Sequence, residues 1–79
     1  NPLGLHARAA ARFVQIAGRF ASRIQVTRGG RTVDGKSILG LLLLAAAKGS
    51  EIDVAVEGDD EEAALDAIGG LIARGFEAP

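Results

Sequence analysis

Cysteine, methionine, tryptophan and tyrosine are all missing from this 79-residue chain, and histidine occurs once. Without cysteine there is no disulfide framework, no thiol nucleophile and no zinc-finger spacing, and a reducing compartment is compatible with the composition. One histidine and no cysteine also argue against a structural transition-metal site, so neither a metal nor a cofactor is expected. A charge excess is lacking too. Nine Lys and Arg against ten Asp and Glu leave a net −1 at pH 7, which argues against a nucleic-acid coat or a polybasic membrane anchor. The absence of Tyr and Trp removes the usual platforms for base stacking. No signal-like segment opens the chain, and the apolar run from Ile38 to Ala47 is too short to span a bilayer. The expectation is a single domain over residues 1–79, soluble and cytoplasmic, with no nucleic-acid partner and no membrane insertion.

Hydropathy patterning supplies the elements. Ala10, Phe13, Val14 and Ala17 recur at helical spacing and predict a core-facing stripe on a helix over Ala7–Arg19. Arg8, Arg12, Gln15 and Arg19 recur on another face as a basic ridge, either a plain solvated face or a docking surface for an acidic partner. Ser22–Thr27 alternates, with Ile24 and Val26 on one side, and predicts a half-buried strand. Arg28-Gly29-Gly30-Arg31 predicts a hairpin turn, because paired glycines accept positive φ, and Arg31–Asp34 is the returning strand. Ser37 is placed to cap a second helix.

That second helix, Ile38 to Ala47, is apolar on every side, whereas a surface helix needs one apolar stripe. Some of its leucines are therefore expected to face outward and form a partner site, unless a loop or chain end covers them. Lys48-Gly49 ends it. Glu51–Glu57 alternates again, with Ile52, Val54 and Val56 on one face. Asp59 and Glu62 make a capping-box pattern, and a third helix follows to about Arg74 with Leu65, Ile68, Leu71 and Ile72 inward. Gly69-Gly70 inside it either weakens the helix or marks close packing. The order helix, hairpin, helix, strand, helix predicts an α+β sandwich with three helices on one face of an antiparallel sheet.

The chemistry concentrates at the start. Asn1, Pro2 and Gly4 break regular structure, and then Ala7-Arg8-Ala9-Ala10-Ala11-Arg12 begins a helix, which places His6 near its N-cap. First-turn N–H groups lack partners inside the helix and, with the dipole, favour an anion there. A neutral imidazole beside that position, with the Arg8 guanidinium two residues on, suits a nucleophile that accepts a phosphoryl group. The plainer alternative is a histidine that merely occupies an N-terminal turn. Gly30-Arg31-Thr32-Val33-Asp34-Gly35-Lys36-Ser37 matches the P-loop pattern GxxxxGK[ST]. Its middle residues are better used as the return strand of the hairpin, and the chain cannot supply the parallel βαβ units a P-loop nucleotidase needs.

Asn1-Pro2-Leu3-Gly4-Leu5-His6-Ala7-Arg8 resembles the active-site segment of the HPr family, histidine-containing phosphocarriers of the bacterial sugar phosphotransferase system. Asp34-Gly35-Lys36-Ser37-Ile38-Leu39-Gly40-Leu41 is similar to the family's second signature, and Gly58-Asp59-Asp60-Glu61-Glu62-Ala63 resembles its entry to the last helix. The resemblance implies the HPr-like open-faced sandwich. It implies a carrier and not an enzyme, with His6 taking phosphate on Nδ1 from phosphorylated enzyme I and passing it to sugar-specific enzyme IIA. It further implies that Arg8 is the active-site arginine and that Ser37 is the regulatory serine on which a kinase and phosphatase act in some bacteria. Ile38, Leu39 and Leu42 match the family's apolar contact patch, beside Arg12 and Gln15 on the basic ridge. The alternative within the resemblance is a regulatory protein that works through Ser37 and the patch without phosphoryl transfer. Two departures stand out: Ala9 replaces the family's proline, and the short strand that precedes Asn1 in the family is expected to be absent. That strand is expected to pair with Glu51–Glu57. Its absence would leave an open edge, lower stability and a tendency to self-associate, which Glu51, Asp53 and Glu57 restrain by charge repulsion.

Overall fold

A computed structural model describes residues 7–45 and 51–74. The elements run α1 (Ala7–Ala17), β1 (Arg23–Arg28), β2 (Arg31–Asp34), α2 (Ile38–Ala45), β3 (Asp53–Glu57) and α3 (Glu61–Ala73). The order is the predicted one. Helix α1 stops two residues short of the expected Arg19. There the chain tightens: the amides of Arg19 and Phe20 bond back to the carbonyls of Ile16 and Ala17 at 3.1 and 3.2 Å, a three-residue spacing typical of helix ends.

The sheet is antiparallel with strand order β2-β1-β3. Val26 lies opposite Val33 of β2 and Val54 of β3, and Ile24 lies opposite Val56, so the apolar residues of all three strands share one face. Gly29 and Gly30 turn the hairpin with φ of 58° and 80°, a pairing that side chains other than glycine, Asn or Asp seldom tolerate. Behind the turn, the hydroxyls of Thr27 and Thr32 share a 2.7 Å hydrogen bond across the strands. The P-loop letters are accounted for here, since Arg31–Asp34 is paired in the hairpin and cannot wrap a phosphate.

All three helices bury one side against the apolar face of the sheet. Ala9, Ala10, Phe13 and Ala17 of α1, Leu41 and Leu44 of α2, and Ala64, Ile68 and Leu71 of α3 join Ile24 and Val26 in one core. The central strand is sealed. Among the described residues β3 pairs with β1 alone, and its Val54 and Val56 are half-buried. No described helix is long and apolar enough to cross a membrane.

Three local expectations need correction. Leu65, expected inward, is 50% exposed, because α3 settles with Ala64, Ile68 and Leu71 as its buried line and Leu65 falls about 100° off it. Gly69-Gly70 does not mark close packing. A Cβ on Gly69 would meet nothing within 4 Å, and one on Gly70 would meet only the Arg74 guanidinium. The Asp59–Glu62 capping box is not formed: the residue ahead of α3 is Asp60, which makes no side-chain cap bond. Glu61 Oε1 instead accepts from the Gly58 amide at 3.0 Å. Lys48-Gly49 lies outside the described residues.

Candidate functional site

Asn1–His6 lies outside the described residues. The described part of the site is the first turn of α1, which begins at Ala7, the residue after His6, and carries no acidic side chain there. The positive end of its dipole is therefore not neutralised locally. Arg8 is exposed in that same turn. Ala9, at the position of the family's proline, is fully buried in the core. A methyl group fits there, and the helix starts without the fixed φ of proline.

Along α1, Gln15 and Arg19 are exposed, as a solvated ridge requires. Arg12 departs from it. Its side chain is half-buried, and its Nε is enclosed with no hydrogen-bond partner among the described residues. The aliphatic stem of an arginine covers apolar surface well, and here it draws part of the guanidinium in with it.

The apolar surface of α2 is larger than the three residues anticipated. Ile38 and Leu42 are about two-fifths exposed, Leu39 is 66% exposed, and Leu43 is 57% exposed. Leu43 stands one turn after Leu39, so the patch is two adjacent stripes, 38/42 and 39/43. Uniform hydrophobicity hid this. Every position of Ile38–Ala45 except Gly40 is apolar, and only the packing of Leu41 and Leu44 against the core reveals which side remains outside.

The approach to α2 is held at several points. The Gly35 amide donates to the Ile24 carbonyl at 2.8 Å, and the Ser37 amide to the Asp34 carbonyl at 3.1 Å. The Lys36 amide donates to Asp34 Oδ1 at 2.9 Å. Ser37 Oγ accepts from the Gly40 amide at 3.0 Å, the N-cap bond expected from sequence. The Lys36 ammonium reaches away from its own helix and donates to the Phe20 carbonyl at 2.6 Å.

Asp60, at the start of α3, also reaches across the molecule. Its Oδ2 accepts from the Ala21 amide at 2.8 Å, and its Oδ1 accepts from the Ser22 amide at 2.9 Å and from the Ser22 hydroxyl. The Ser22 hydroxyl, followed by the Ala21 amide, holds the Asp60 carboxyl below its ordinary 3.8, because each donor favours the charged form. Spacing in the sequence points to neither Lys36 nor Asp60 for such a role, since their partners are 16 and 38–39 residues away. A groove of about 390 Å³ opens beside β1 and β2, between Ser22, Gln25, Thr32 and Lys36. None of the candidate site residues lines it, so the surfaces to be explained are the start of α1 and the outer side of α2.

Comparison with known proteins addresses the family and the fold. The family model described as "PTS HPr component phosphorylation site" matches residues 1–74. The phosphocarrier protein HPr of Cupriavidus necator is 50% identical over 76 residues, covering 96% of this chain and 85% of the relative. That of Pseudomonas aeruginosa is 47% identical over 78 residues, covering 98% and 87%. Among solved structures, HPr-C-His from Thermoanaerobacter tengcongensis superposes with a TM-score of 0.87 at 43% identity, covering all of this chain and 89% of its own. The regulatory alternative is not favoured by these matches, and the three-helix, antiparallel-sheet architecture is that of the HPr structures. The chain belongs to the HPr family, the phosphocarriers of the phosphotransferase system.

Proposed function

We propose that His6 is the phosphoryl acceptor, loaded by phosphorylated enzyme I and unloaded to a sugar-specific enzyme IIA domain in the cytoplasm. The observation that carries this reading is helix α1 running from Ala7, the residue that follows the chain's only histidine in sequence, with no acidic residue in its first described turn and Arg8 exposed in that turn. Neutral imidazole is available near pH 7, since its unperturbed pKa is about 6.5. The lone pair on Nδ1 attacks phosphorus as the donor's phosphorus bond breaks, and the same exchange runs onward to the next acceptor. First-turn N–H groups and the Arg8 guanidinium stabilise the phosphoryl oxygens in both directions. The protein is consumed and regenerated as a carrier. Tight capture would trap the group, and an exposed helix start suits quick release.

Docking falls to the faces beside the acceptor. Ile38, Leu39 and Leu42 supply apolar contact, and Arg12 and Gln15 extend it along α1. Ser37 is the regulatory position: a phosphate there places negative charge at the N-terminus of α2, which the dipole tolerates, yet sets it against Ile38 and Leu39 where a partner docks. The test is incubation with enzyme I and phosphoenolpyruvate, read by intact mass. The expected outcome is a gain of one phosphoryl group that is lost in acid and is absent in His6→Ala. An unchanged gain in that variant overturns the assignment of His6.

A further inference from the structure

Two functional helices meet at one cation. Helix α1 carries no basic residue in its last turn, although the negative end of a helix dipole favours one. The cation comes from elsewhere. Lys36, two residues before α2, is half-buried and donates its ammonium to the Phe20 carbonyl at 2.6 Å, in the loop that leaves α1. The residue before it makes a second, independent tie. A Cβ on Gly35 would sit 2.6 Å from Ile24 Cγ2 and 3.1 Å from Phe13 Cε1, so the backbone there is pressed against α1 and β1. The Gly35 amide bonds to Ile24 as well. The start of α2 is thus located against α1 by contact at Gly35 and by charge at Lys36, immediately before Ser37 and the exposed Ile38 and Leu39.

We infer that Lys36 is a positioning residue for partner docking: its ammonium holds the start of α2 to the loop that leaves α1, so that the apolar patch and the helix that follows His6 are presented as one surface. The inference rests on the phosphocarrier reading above. A partner that grips both helices at once gains from receiving them already arranged, since ordering them on contact would cost affinity. The charge of Lys36 is directed inward, to a backbone carbonyl, where a rim cation would point to solvent.

The experiment compares the full chain with Lys36→Met, Lys36→Gln and Lys36→Arg as substrates of enzyme I with phosphoenolpyruvate, well below the unfolding temperature and at several salt concentrations. In Lys36→Met we expect KM for the carrier to rise roughly threefold to tenfold with kcat unchanged, and in Lys36→Arg to return most of the way. Amide shifts of Ala21 and of Ser37–Leu39 should move together in Lys36→Met, and the salt dependence of KM should keep its wild-type slope. Should Lys36→Met fail to fold, Lys36→Gln, which keeps an N–H donor without the charge, is expected to show the same direction with a smaller rise. An unchanged KM while those amides shift overturns the inference. So does a flattened salt slope, which would make Lys36 a direct contact of the partner. No transfer to the wild-type chain would instead sink the phosphocarrier reading, so the two failures are distinct.

Discussion

The starts of α2 and α3 each have a residue type suited to capping, and the molecule uses the two in opposite ways. Ser37 turns its oxygen to the Gly40 amide, three residues on, and serves its own helix. Asp60 leaves its own helix uncapped by its side chain and binds the Ala21 and Ser22 backbone 39 and 38 residues earlier. A carboxylate satisfying three donors at one corner, including the buried Ser22, gains more than one bond to a first-turn amide that water can reach. Proximity makes this possible. Gly58 passes so close to Ser22 that a Cβ would lie 2.7 Å from the Ser22 Cα, which brings the nearby Asp60 within reach. Helix α3 is therefore fastened to the α1–β1 loop at its start, while α2 is fastened to the same loop by Lys36.

The comparison is broken most severely at Gly58. It has a φ of 151°, and a methyl group there would meet Ser22 Oγ at 2.6 Å and Cβ at 2.9 Å. Gly58→Ala is expected to cost about 2–4 kcal/mol, from backbone strain and overpacking together. Urea unfolding measures it, and a loss within error of zero would mean that the two segments part without penalty.

A smaller and more telling effect separates the two cap residues. Ser37→Ala should cost about 1 kcal/mol, the usual worth of a local cap, at every pH. Asp60→Ala should cost more, because it leaves the Ala21 amide and both Ser22 donors without their acceptor. The sign of its pH dependence comes from the lowered carboxyl value. With a folded-state pKa below the ordinary 3.8, the contribution is complete above that value and is lost as pH falls through the depressed one. Urea midpoints of wild type and Asp60→Ala should therefore converge in acid, while the gap between wild type and Ser37→Ala stays constant there. Parallel gaps would show that the Asp60 contacts do not depend on its charge.

The smallest effect has the opposite sign. Gly69 is exposed in the body of α3 with open space where a Cβ would stand. Gly69→Ala is expected to stabilise by about 0.5–1 kcal/mol through helix propensity alone. Thermal unfolding would register it as a modest rise in midpoint. A fall would reveal a neighbour at Gly69 in solution.

Much of this architecture is legible from residue spacing. The alternation around Ile24 and Val26, the Gly29-Gly30 turn, the Ser37 cap and the buried stripe of α1 each arise from neighbours within about one helical turn or one strand pair, where backbone geometry dictates what meets what. The resemblance at Asn1–Arg8 and at Asp34–Leu41 brings the family within reach in the same way, as short strings read in order. The phase of α3 is not legible. Leu65 and Ala64 are adjacent letters, and hydrophobicity favours the larger for the core, yet the helix buries the alanine because it sits where α3 meets its neighbours.

What the sequence determined by itself, then, is the set of elements, their order and the place of the only histidine directly before α1, because each rests on local rules that a linear chain displays. The tertiary structure alone decided which leucines of α2 remain outside, that Arg12 is half-buried, and that Lys36 and Asp60 spend their charges on the loop between α1 and β1. Those outcomes depend on groups brought together over 16 to 39 residues. No pattern of spacing carries them, since a charged side chain takes its partner from whatever backbone donor or acceptor the packing leaves beside it.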